Sequence, residues 1–338
     1  MKARAALQKV LRQNEFYILL VIILLAIVIQ ARSGLFFSLD NIVALAGAMV
    51  VPGIFAVGTY MVLVSGGIDV SFPALASLAV YATTRMLVDW GWEGGLWLPL
   101  VLVIGISAVL GAFNGAFTAT IAVPVLIITL GTSNVFSGFM QGALSSVQIP
   151  SIPPAMAEFG RASLLVTENP RTGHLSSLPL SFLVLVVIVA AAFVVMKYTT
   201  FGRSIYAIGG DESSAARAGV NVKRTKFALY IIAGVLAGIA GLVRTSMMGQ
   251  MHPTNLLGME LMVIAAVVLG GTAITGGRGT LTGAMLGTLL IVIVQNSMIL
   301  VGVPTIWQRV ALGVLIIAGT AVSAVQMTRA RKRQGAIV

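Results

Sequence analysis

The sequence contains no cysteine and only two histidines, His174 and His252, so a disulfide framework, a thiolate nucleophile and a cysteine-ligated metal are excluded from its 338 residues. Charge is scarce as well. Charged residues make up 9% of the chain, against about a quarter in soluble proteins. Acidic residues number only 10 against 21 basic ones. Clusters of histidine or paired buried carboxylates, which an enzyme embedded in the membrane would need, do not stand out, and no catalytic or metal-binding residue is assigned.

What is abundant is apolar. Hydrophobic residues reach 58% and the mean hydropathy is +1.02. Repeated apolar runs fit a hydrocarbon core of about 30 Å, which needs about 17–25 residues per crossing. The expected fold is an all-α polytopic membrane protein of about ten helices, with a short cytoplasmic helix between two of them. The spans are 16–31, 42–64, 73–88, 96–121, 125–144, 180–196, 227–245, 260–274, 281–301 and 306–325. Together they make residues 1–338 a single transmembrane domain. Pro73, Pro124 and the glycine-rich turns point to helices that break or end inside the membrane.

The net charge of +11 reflects topology rather than nucleic-acid binding, because the basic residues lie in short segments between apolar runs. With the N-terminus in the cytoplasm, the basic groups at 2–12, 197–226, 278 and 329–333 fall inside, and an even number of crossings returns the C-terminus there. Residues 1–31 resemble a secretory signal, but Ile29-Gln30-Ala31-Arg32 is a poor cleavage site, so this segment reads as a retained first helix. The external segment 145–179 carries Pro150, Pro153, Pro154, Pro170 and Pro179. It reads as a gate or docking loop, or else a tolerated excursion, with a short surface helix within 154–165.

The polar island at 197–226 is the main candidate for a partner surface. Asp211 suits the N-cap of a short helix, with Glu212 in the first turn, Arg217 in the last and Gly219 beyond the end. A second motif, Gly66-Gly67-Ile68-Asp69-Val70-Ser71-Phe72-Pro73, combines a glycine turn with Asp69 or Ser71 as a cap. Capping is the reading adopted for Asp69, with an ion-binding or proton-relay carboxylate as the alternative. Val64-Ser65-Gly66-Gly67 is echoed by Ile274-Thr275-Gly276-Gly277, a hint of internal duplication. The stretch 270–280 lacks the lysine of a phosphate-binding loop, so ATP has no site there. Asn114, Thr129, Thr132, Ser133, Asn134, Gln295 and Asn296, with Phe117 and Phe136, are candidates to line a path for a hydroxylated solute; bonding between helices uses the same residue types. Ionisable residues at membrane depth are nearly absent, which places the energy source outside the chain.

These motifs, together with 124–132, 200–220, 265–272 and 276–280, resemble the permease of bacterial ABC importers of the ribose, xylose, galactofuranose and autoinducer-2 type, in the expected order over most of the chain. The resemblance implies the translocation pathway for a monosaccharide or similar polyhydroxylated solute in the bacterial inner membrane. The implied partners are a second permease subunit, identical or a paralogue, cytoplasmic ATP-binding subunits and a periplasmic solute-binding protein. It implies no cofactor on this chain, with ATP and Mg on the ATPase, and leaves solute selection to the binding protein. The loop seated on the ATPase would be 202–220, making Gly202, Arg203, Gly209, Asp211, Glu212, Ala215, Ala216, Arg217 and Gly219 the coupling residues, while Gly66, Gly67, Asp69, Ser71, Gly276 and Gly277 form structural turns and caps. The chain departs from the pattern at Phe72-Pro73, where such permeases commonly have Val-Gly, and at Asp211, where Asn is frequent. The competing readings are a secondary carrier, a membrane-embedded enzyme, or a permease for a branched-chain amino acid or nucleoside.

Overall fold

A computed structural model describes residues 14–168, 173, 175–308, 310–314 and 317. The helices are α1 Asn14–Ser33, α2 Leu39–Val64, α3 Phe72–Asp89, α4 Trp97–Thr120, α5 Val125–Gly142, α6 Pro154–Arg161, α7 Ser181–Tyr198, α8 Thr200–Gly210, α9 Glu212–Arg217, α10 Val222–Met248, α11 Met259–Leu269 and α12 Leu281–Leu300. An antiparallel hairpin, β1 Ser163–Glu168 and β2 Leu175–Pro179, lies between α6 and α7.

Among the described residues six helices, α1, α2, α4, α7, α10 and α12, are long and apolar enough to cross a membrane. Nine of the expected spans fall on helices, but α11, at 11 residues and about 1.5 Å of rise each, reaches only about half of a 30 Å core. The tenth span is described only in part. The basic groups at 2–12 and 329–333, with Pro170, Arg171, His174 and Arg309, lie outside the described residues.

The core is built on α2 and α10. In their most apolar windows 67% and 56% of residues are buried within the chain, against 22% for α1 and 28% for α4 and α7, which turn most of their surface outward. Without a hydrophobic drive between helices in lipid, close packing needs small residues at the crossing. Ser107 and Gly111 of α4 supply it, facing Gly234 and Gly238 of α10. A Cβ on Gly234 would stand 2.7 Å from the Ser107 carbonyl oxygen, and one on Gly111 would stand 2.5 Å from that of Tyr230.

The segment 145–179 is more ordered than its proline content implies. The expected short helix is present as α6, begun by Pro153 and Pro154 where a missing N–H is harmless. The hairpin was not foreseen and corrects the all-helical expectation locally. It pairs Leu165 with Leu178 and Thr167 with Ser176, and the residues after α6 return through it to α7. Ile149 pairs with Met251, tying the start of this segment to the loop after α10.

Candidate functional site

The end of α2 unwinds into a largely buried turn whose backbone is satisfied by Asp69 within the turn and by Thr129 of α5. Gly66 adopts φ +86. Asp69 Oδ1 accepts from the Ser71 backbone N–H at 2.7 Å and from Ser71 Oγ at 2.6 Å. Ser71 Oγ in turn accepts from Asn114 Nδ2 of α4 at 2.7 Å. Thr129 Oγ1 of α5 accepts from the Val70 N–H at 3.3 Å and donates to the Ile68 carbonyl at 3.1 Å. Asp69 therefore closes its own turn. Ser71 stands at the N-cap of α3 without capping it by its side chain, and Pro73 sits in the first turn.

The echoed sequence lies directly against this turn. Gly276 and Gly277 have φ +85 and +72, and the Gly277 N–H donates to the Val64 carbonyl at 2.8 Å. A Cβ on Gly276 would approach Gly66 Cα to 2.6 Å, and one on Gly209 would stand 1.8 Å from the Val64 oxygen. Three glycine-bearing segments, remote in sequence, thus meet backbone to backbone. Beside them opens a cavity of about 380 Å³ whose walls include Gly67, Pro124, Asp211, Lys226 and Tyr230.

Attached to this junction is a pair of short helices. Thr199 Oγ1 caps α8 by accepting from the Gly202 N–H at 3.1 Å, and Ile205 and Ile208 bury its inner face. Tyr206 donates from its hydroxyl to the Gly279 carbonyl at 2.9 Å and meets the Tyr60 hydroxyl of α2 at 2.5 Å. Helix α9 starts at its expected cap: Asp211 Oδ1 accepts from the Ser214 N–H at 2.6 Å and from Ser213 Oγ at 2.8 Å. The hydrogen bonds from Ser214 and Ser213 hold this exposed carboxyl below the usual carboxylate range. Arg217 donates to Ser213 Oγ and Ser214 Oγ, Gly219 takes φ +89 just past the end, and Lys226 pairs with Glu212 at 2.6 Å.

The residues assigned to coupling divide by direction. Arg203, Asp211, Glu212, Ala216, Arg217 and Gly219 are exposed, whereas Gly202 and Ala215 are buried. Gly209 belongs to the glycine junction. The candidate path residues divide too. Asn114, Thr129, Thr132 and Phe136 are buried around the turn at 66–71 and α5, and Thr132 bonds to the Thr129 carbonyl. On α5 Asn134 is exposed and Ser133 half-buried; on α4 Phe117 is exposed and packs at 4.8 Å on Phe113. Gln295 and Asn296 stand elsewhere, on α12, bonded to Met262 Sδ and the Val292 carbonyl. Sequence reasoning missed helix α8 and the tyrosines Tyr60, Tyr206 and Tyr230; the signal present was the spacing of Phe201, Ile205 and Ile208 along one helical face.

A family profile described as branched-chain amino acid transport system / permease component matches residues 41–319. The chain is 32% identical to the ribose import permease protein of Haemophilus influenzae, over 91% of both chains. It is 32% identical to the ribose import permease protein of Bacillus subtilis over 87% of this chain and 88% of the relative. To the xylose transport system permease protein of Escherichia coli K12 it is 29% identical, over 89% and 88%. No solved structure gives a significant match.

Proposed function

Because the chain belongs to the family described as branched-chain amino acid transport system / permease component, we propose that it is the permease subunit of an ATP-driven ABC importer, forming the path for a monosaccharide or similar small polyhydroxylated solute. The observation that carries this reading is similarity along nine tenths of both chains to permeases named for ribose and for xylose. The chain, 1–338 taken as one permease domain, lies in the bacterial inner membrane with both termini in the cytoplasm.

In this reading the exposed face of α9, with Ala216 and Arg217, seats on a cytoplasmic ATPase that binds ATP and Mg. Helix α8 passes the movement of the ATPase to the turn at 66–71 through Gly209, whose backbone lies against Val64 and Gly66, and to Tyr60 and Gly279 through the Tyr206 hydroxyl. A second permease subunit, identical or a paralogue, completes the path, and a periplasmic binding protein delivers the solute near 145–179. Asn114, Thr129 and Thr132, with Ser133 and Asn134, are the uncharged donors and acceptors proposed for the solute's hydroxyls; the first three are buried here. Hydrolysis belongs to the partner, and this chain supplies path and coupling.

Reconstitution tests the class. Vesicles holding this chain with its ATPase and binding protein take up labelled ribose or xylose only when ATP is supplied. Gradient-driven uptake by this chain alone would overturn the importer reading in favour of a secondary carrier. Competition by leucine or a nucleoside, with none by pentoses, would instead reassign the solute.

A further inference from the structure

A long apolar groove opens between α1 and the face formed by α2, α7 and α12. Its volume is about 1170 Å³, and its lining includes Ile27, Met49, Val189, Ala190, Phe193 and Met285. Helix α1 packs chiefly on α12 and stands away from α7, which leaves the cleft between them. Along α7 the lining runs from Phe182 to Val194. At about 1.5 Å per residue this is ~18 Å, starting at the second residue of α7 and stopping four short of its end, so the groove reaches beyond the half of the core next to α8.

The chemistry of the rim is specific. One turn beyond Phe193, at the end of α7 next to α8, the exposed Lys197 holds its Nζ over the rings of Phe193 at 4.9 Å and Tyr198 at 5.3 Å. Those are aromatic contacts, not an ion pair. An amphipathic cation above an apolar slot is the arrangement in which lysine reaches the headgroup level while its stem covers hydrocarbon. The acidic group at the same end, Glu15, is engaged as acceptor from Thr280 Oγ1 at 2.6 Å.

We propose that this groove is a phospholipid-binding site, with the headgroup phosphate on Lys197 at the α8 end and the acyl chains running from there between α1 and α7. A second copy of the chain fits the groove less well. Helices that associate in lipid bring small residues together, as α4 and α10 do here, whereas this lining is dominated by Ile, Leu, Val, Phe and Met. The lysine at the rim complements a phosphate and would gain nothing from an apolar helix.

The test uses the full chain purified in mild detergent and equilibrated with mixed micelles of phosphatidylglycerol or phosphatidylcholine, with bound phospholipid counted by native mass spectrometry. The wild type retains lipid through detergent washing and favours phosphatidylglycerol. Lys197→Glu lowers phosphatidylglycerol retention about fivefold or more, the scale of one basic residue at a membrane surface. Lys197→Gln lowers it less, and Ala190→Trp, which fills the groove, expels both lipids. Lys197 is exposed, so its variants keep the wild-type melting temperature and report on binding rather than folding. Equal retention by the wild type and all three variants means ordinary surrounding lipid and overturns the proposal. So does an Ala190→Trp chain that loses a dimer while its lipid is unchanged, because the groove would then bury a second copy.

Discussion

Gly209 and Ala216 stand on consecutive helices, and a side chain added at each meets a different environment. At Gly209 a Cβ would collide with the backbone oxygen of Val64, an atom held within α2, so the neighbour has no rotamer with which to yield. Gly209→Val is expected to lower the melting temperature sharply or abolish recovery of folded protein, as seen by size-exclusion chromatography. Ala216→Arg, on the exposed face of α9, is expected to keep the wild-type melting temperature and lose solute-stimulated ATP hydrolysis in the assembled importer. Unchanged hydrolysis in that variant would remove α9 from the coupling surface. Read from the sequence, the two positions are equivalent docking residues; the backbone contact separates them. Asp211 carries a further prediction. Its folded-state pKa is lowered, so its contribution to α9 is present at neutral pH, above the unfolded carboxylate range, and is lost as pH falls through the lowered value. Protection of the amides over 212–219, relative to the intrinsic exchange rate at each pH, should therefore fall on acidification. Asp211→Asn, which caps without titrating, should flatten that dependence.

Among elements, the pairing of α8 with the glycine junction is the connection that matters. Helix α8 touches the membrane body through Tyr206, the inner isoleucines and Gly209, while α9 hangs from it with its outer face free. Tyr206→Phe removes the bond to the Gly279 carbonyl and to Tyr60, costing about 1 kcal/mol of stability. A double cycle with Tyr60→Phe should give a non-additive melting shift, and additive shifts would mean that the two hydroxyls act separately. The crossing of α4 and α10 is a second element-scale test. Gly234→Leu is expected to prevent their approach and leave little folded protein after detergent extraction. Capping chemistry made α9 legible, because Asp211, Arg217 and Gly219 each act within one turn of the chain. Helix α8 was harder to read, since Gly202, Gly209 and Gly210 are poor helix formers and packing against α2, α7 and α10 supports the segment as a helix. The hairpin at 163–179 was lost for a similar reason. Short alternating runs separated by a loop specify pairing weakly until a neighbouring helix holds both ends together.

For the whole molecule, composition and run length are enough to require a multi-pass membrane protein, because a chain this apolar and this poor in charge has no soluble arrangement. The motifs, in their order, were enough for the family, and the match over 41–319 agrees with them. Those properties depend on local chemistry: hydrophobic length, caps and turns that close within a few residues. The sequence showed that Val64-Ser65-Gly66-Gly67 and Ile274-Thr275-Gly276-Gly277 resemble each other. Only the fold brings them within a hydrogen bond, with Gly209 between, because contacts between backbones so far apart leave no periodic trace. The same holds for the polar candidates. Residue type placed Asn114, Thr129, Gln295 and Asn296 in one set, and packing divided it, seating the first two on the buried turn and the last two on α12. Hydrophobicity and local hydrogen bonding are read along the chain, whereas which polar group reaches which backbone is decided by how the helices cross.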